Sequence, residues 1–143
     1  MIGRKRLLGF ASLAFILMPA AALTGEATTL KEIMQGLRDG LVDVSDGLLM
    51  DDFEQVARGA TAIAEHPPIP AAQVKRVAEE LGPEMAAFKQ LDTLVHDLSL
   101  EISAAAQALD RDAAITGYQR MIDGCFACHN AYKDRIAAVL SAP

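Results

Sequence analysis

Apolar residues spaced three and four apart recur through four stretches of this chain, and no stretch alternates convincingly with the period of two that a strand needs. That pattern calls for helices that bury their stripes against other helices. Residues 28–49 are predicted to form the first, with Thr28 or Thr29 as N-cap and Leu30, Met34, Leu37, Leu41, Val44 and Leu48 inward. Asp51 or Asp52 opens the second, which runs to Glu65 with Phe53, Val56, Ala57, Ala60, Ile63 and Ala64 inward. The segment His66-Pro67-Pro68-Ile69-Pro70 stops it. A short helical piece follows over residues 71–81, interrupted by Gly82-Pro83. The third long helix then carries Met85, Phe88, Leu91, Val95, Leu98, Ile102, Ala105 and Leu109, and Asp110 caps a fourth that reaches about Leu140. Short links between such helices predict an all-α fold, an up-down-up-down antiparallel four-helix bundle.

The fourth stripe reads Ile115, Tyr118, Ile122, Cys125, His129, Tyr132, Ile136 and Val139. Inside it, Cys125-Phe126-Ala127-Cys128-His129 has the spacing C-x-x-C-H, the pattern of covalent c-type haem attachment. Residues three and four apart share a helix face, so the Cys125 and Cys128 thiols can form thioethers with the two vinyl groups of one haem. His129 then reaches the iron as proximal ligand. The stripe places Cys125 and His129 in the core, where an unsatisfied polar group costs about 1–3 kcal/mol. Iron would satisfy the imidazole; a backbone carbonyl is the plainer partner.

Other readings of the cysteines fit less well. A redox dithiol sits in a βαβ setting, and no strand pattern is found. A closed zinc site takes four ligands, and the chain has two cysteines in all. A disulfide between residues three apart closes a very small loop and stabilises little.

Residues 1–22 read as a secretory signal: Arg4, Lys5 and Arg6, an apolar run from Leu7 to Met18, then Pro19 and an Ala20-Ala21-Ala22 cleavage site. The run is too short for the roughly 20 residues that span a bilayer. Residues 23–143 then make one haem-binding domain, and export puts it in the periplasm. Removing the signal takes away three basic groups and no acidic one, leaving a net charge of about −9. Such a chain repels nucleic acid and anionic membrane surfaces, and suits a basic redox partner.

An up-down-up-down bundle gathers Met34, His66, Met85 and His129 at one end, with Leu37, Phe88 and Leu91 as walls. Met50, Met121 and His96 fall at other levels. Met34, on the inward stripe, is the first candidate for the second axial ligand. Met85 and then His66 follow, and a methionine on such a stripe is otherwise ordinary packing.

With these residues in place, the chain resembles the cytochrome c′ family and its low-spin, methionine-ligated relatives. The likeness spans nearly all of residues 23–143, and locally runs from Gly124 through the motif to Asn130-Ala131-Tyr132-Lys133. It implies that Lys133, four after the haem histidine, takes the place of a basic residue common there. It also implies that Met34, within Leu30-Lys31-Glu32-Ile33-Met34, binds the iron. The chain departs from the family at Leu30, where many members carry an arginine four residues before the distal position. Homodimers are common in the family. The expectation is a non-enzymatic periplasmic cytochrome with one covalent haem c, carrying single electrons between redox partners. The alternative is a five-coordinate protein that binds nitric oxide or carbon monoxide. A peroxidase would want a distal base on an inward stripe, and none is found.

Overall fold

The structure is a computed structural model that describes residues 28–142; the expected signal over residues 1–22 lies outside them. Helix α1 spans Leu30–Met50. Its start is fixed by a capping box: the Thr29 hydroxyl accepts from the Glu32 N–H at 3.3 Å, and Glu32 accepts from the Thr29 N–H at 2.7 Å. The Thr29 N–H and, at 2.8 Å, the Thr29 hydroxyl both donate to the Glu32 carboxylate and hold it below its usual range. Asp51, at φ 60°, ends the helix, and Asp52 caps α2 (Phe53–Ala64) by accepting from the Gln55 N–H at 2.9 Å.

After Pro70 come α3 (Ala71–Leu81), a 3₁₀ turn over Gly82–Glu84, and α4 (Met85–Gln107). Leu109, also left-handed at φ 57°, turns the chain, and Asp110 caps α5 (Arg111–Ser141) through the Ala113 N–H at 3.0 Å. Arg111 pairs with Asp51 and lies 6.0 Å from the Phe53 ring, which ties the two tight turns together. The described residues contain helices and turns and no strand, as the periodicity predicts.

Glycines set how closely the helices approach. A Cβ on Gly59 would lie 2.6 Å from the Gly40 carbonyl oxygen, and one on Gly47 would lie 2.8 Å from the Asp52 oxygen. On α5, a Cβ at Gly117 would meet Ile102 at 2.8 Å and one at Gly124 would meet Val95 at 3.2 Å. This rotates the buried faces away from the predicted stripes. On α1 the buried residues are Leu30, Ile33, Gly40, Val44 and Gly47; on α5 they include Ala114, Gly117, Met121 and Gly124. The predicted Leu37, Leu41 and Leu48, and Ile115, Tyr118 and Ile122, are half-buried flank residues. The stripes follow large side chains, whereas the closest helix contacts are made where side chains are missing.

Helix α1 packs along α2, α2 along α4, and α4 along α5, while α1 and α5 meet only lightly. The interior is divided. One cluster holds Val44, Val56, Ala60, Ile63, Leu98, Ile102, Ala106 and Met121. The other holds Leu30, Val77, Leu81, Tyr132 and Ile136. Helix α3 contributes Val77 and Leu81 to the second, each burial stabilising by about 1.5–3 kcal/mol. Tyr118 borders the first cluster and Tyr132 belongs to the second.

Gly59→Ala should lower the unfolding free energy by about 1–3 kcal/mol, because the new methyl meets backbone that cannot step aside. Gly36→Ala, with nothing within 4 Å of the new Cβ, should raise it by about 0.5–1 kcal/mol. Urea titrations followed by circular dichroism read both signs.

Candidate functional site

The division between the two clusters falls at the level of the cysteines. On α5, Cys125 packs against the first cluster and Cys128 against the second. On α4, Val95 borders the first and Leu91 the second. On α1, Leu37 borders the first and Leu30 belongs to the second, with Met34 one turn from each. Three helices therefore put the same boundary beside the C-x-x-C-H segment. Phe88 and Leu91 line it from α4, and the Phe88 ring stands edge-on to Tyr132 with centroids 5.6 Å apart.

Both cysteines are half-buried, and neither is in a disulfide. Burial pushes the Cys125 thiol above its ordinary value. Burial raises Cys128 too, with the Asp92 carboxylate and Cys125 adding to the effect. The folded chain thus holds these protons more tightly than the unfolded one does.

His129 is not in the core. It is exposed, and it makes no hydrogen bond or ion pair with the described residues. The stripe steps from Cys125 to Tyr132 through Cys128 rather than through His129, because both paths cover seven residues and Cys128 is the one turned inward. The plain alternative, a buried histidine bonded to a carbonyl, is therefore also absent. Met34 likewise lies off the buried face, 39% exposed beside the buried Ile33. Lys133 is exposed on α5.

Helical geometry explains where these two side chains sit. Gly40 and Gly47 mark the side of α1 that faces α2, and Met34 lies about 120–140° round from both. Gly117 and Gly124 mark the side of α5 that faces α4, and His129 lies about 120–140° round from both. Met34 and His129 thus occupy exposed flanks turned away from the contacts of α1 with α2 and of α5 with α4.

The other candidates are engaged elsewhere or stand apart. The His66 Nδ1 bonds the Pro67 carbonyl at 2.7 Å, so that nitrogen is the donor. His96 is exposed and pairs with Asp97 at 3.0 Å. Met121 is fully buried, and the Ser99 hydroxyl donates to its sulfur at 3.2 Å. Met85 is half-buried against the second cluster. Asp92, whose carboxylate charge acts on the Cys128 thiol, is not marked by the sequence, because its effect depends on the packing of α4 on α5.

No protein-family model, curated protein or solved structure matches this chain. Among the described residues, no three His, Cys, Asp or Glu side chains converge in a way that could hold a metal ion by themselves. The chemistry available at the site is that of two accessible, unpaired thiols in an apolar seam, with an imidazole one turn beyond the first.

The raised thiol values give a pH test. Ionisation is less costly in the unfolded chain, so the stability of the cofactor-free protein should fall as pH rises through the unfolded thiol value, about 8.5. Alkylation by iodoacetamide should likewise reach its half-maximal rate at a higher pH in the folded chain than in urea. Equal midpoints in the two states would show that packing does not protect these thiols.

Proposed function

We propose that this chain is a c-type cytochrome with one covalent haem, carrying single electrons between redox partner proteins in the periplasm after export. The observation that carries this reading is the placement of two unpaired, half-buried thiols, three apart on α5, on either side of the boundary between two apolar clusters. A flat, mainly apolar group bound by two adjacent thioethers fits such a boundary. Leu37, Phe88, Leu91 and Val95 would face it from α1 and α4.

Haem, when bound, supplies an iron that cycles between two oxidation states. Everything else falls to the chain. Cys125 and Cys128 would hold the group, each thiol adding its sulfur and its hydrogen across one vinyl double bond, an addition that needs no oxidant. His129, free of any protein partner described, would bind the iron through its imidazole, and Met34 would offer a thioether from α1; a histidine–methionine pair favours the reduced metal. Lys133 offers a charge for a propionate. The light α1–α5 contact fits an up-down-up-down antiparallel bundle that carries its cofactor between the first and last helices. The acidic surface suits a basic redox partner, and Val42, Leu49 and Met50 on the exposed side of α1 would suit a homodimer.

A second reading rests on the exposure of Met34. A side chain that packing does not hold could stand aside, leaving five-coordinate iron that binds nitric oxide or carbon monoxide. Absorption spectra of the oxidised and reduced protein, with and without carbon monoxide, separate the two. A low-spin spectrum indifferent to the gas supports the electron carrier, and a high-spin spectrum that shifts supports the gas binder. Absence of covalently retained haem from protein made beside maturation machinery overturns both.

Two variants sharpen this. Cys125→Ser with Cys128→Ser should lose all haem resistant to denaturing electrophoresis, and either single variant should retain one thioether by mass spectrometry. Met34→Ala should open the sixth position of the haem-bound protein to carbon monoxide, and in the cofactor-free chain should change stability by less than about 1 kcal/mol, since the side chain is exposed there.

A further inference from the structure

The connection between α2 and α4 is long, and at its centre stands a helix that belongs to none of the close helix pairs. Helix α3 packs on the C-terminal part of α5 and only lightly on α4. Its joints are of a different kind from the tight turns elsewhere. Upstream lie Pro67, Pro68 and Pro70, which leave the segment before it without helical hydrogen bonds; downstream Gly82 sits at φ 49°, ψ −120° before Pro83.

What holds α3 in place can be counted on a few side chains. Val77 and Leu81 are buried in the second cluster against Leu30, Tyr132 and Ile136. Arg76 donates to the Val139 and Ala142 carbonyls at the end of α5. Arg135 reaches back from α5 to Glu80 at 3.2 Å and Glu84 at 2.9 Å. The Gln73 side-chain Oε1 accepts from the Leu30 N–H at 2.7 Å. The ion pairs are solvent-exposed and contribute little, so the docking rests on two apolar side chains. Among the described residues, no glycine locks α3 to a neighbour as Gly59 locks α2 to α1.

We infer that α3 is a hinged cover over the second apolar cluster, which opens as a unit while the α1–α2 and α4–α5 pairs stay closed, and so controls access to the Cys128 side of the attachment site. Cys128 packs against the cluster that α3 covers, whereas Cys125 packs against the cluster it does not touch. Opening α3 bares the Phe88–Tyr132 wall and relieves the burial of Cys128, leaving Cys125 as it was. The link to cofactor entry rests on the haem reading; the opening itself does not.

Hydrogen exchange on the protein as isolated tests the unit. The amides of residues 74–81 should exchange together, at least about tenfold faster than those of α2 and central α4. Exchange of α3 only with the whole molecule would overturn the inference. Leu81→Ala should speed α3 exchange by a further factor of about ten or more while leaving α2 unchanged. In full-length chain made without cofactor, Leu81→Ala should also raise the ratio of Cys128 to Cys125 alkylation by about fivefold, since opening α3 lets the reagent reach the Cys128 Sγ while the surroundings of Cys125 stay as they were. An unchanged ratio would remove the control over Cys128. Val56→Ala, in the other cluster, should leave that ratio where it was. These outcomes do not depend on whether the chain takes haem, which the spectra decide separately.

Discussion

The approach of Gly59 to the Gly40 carbonyl is the contact from which the rest of the arrangement follows. Two helices whose backbones touch cannot also present large side chains to one another there. Their bulky residues are displaced to the flanks, where they meet α4 on one side and look toward α5 on the other. The same displacement operates on α5 through Gly117 and Gly124. Two tight pairs result, and the side between α1 and α5 is left as the weakly packed one.

That asymmetry gives the cysteine segment its character. Cys125 and Cys128 sit where neither apolar cluster closes over them completely, and Met34 and His129 sit on the flanks that the glycines turned outward. The residues proposed to hold a cofactor are those the helix pairs do not use for each other. Burial favours the protonated thiol at both cysteines, and at Cys128 a carboxylate on α4 strengthens that preference. Thiols held protonated in this way react more slowly than ionised ones, although both remain within reach of a reagent.

Helix existence and ends were legible because caps are local: Thr29 with Glu32, Asp52 with Gln55, Asp110 with Ala113. Pro70 and Gly82-Pro83 marked α3 for the same reason. Facing was less legible. A stripe of large residues on α1 or α5 differs from the true buried face by one position, and a period of seven runs equally well through Cys128 or His129. Only the close approach of two glycines decides between them, and that depends on a partner helix far along the chain. The C-x-x-C-H spacing itself is a local signal and needed no fold to be noticed. The boundary beside it, assembled from Leu30, Leu37, Leu91 and Val95 on separate helices, could not be seen before the helices were packed.

The division of the interior has an optical corollary. The chain has no tryptophan and two tyrosines, one bordering each apolar cluster or within it. In the cofactor-free chain, tyrosine signals in the near ultraviolet therefore come from two reporters assigned one to each half. Tyr118 watches the half closed by the α1–α2 pair, and Tyr132 the half roofed by α3. A transition that looks single by far-ultraviolet dichroism can thus be resolved, residue by residue, into the order in which the two halves lose their packing.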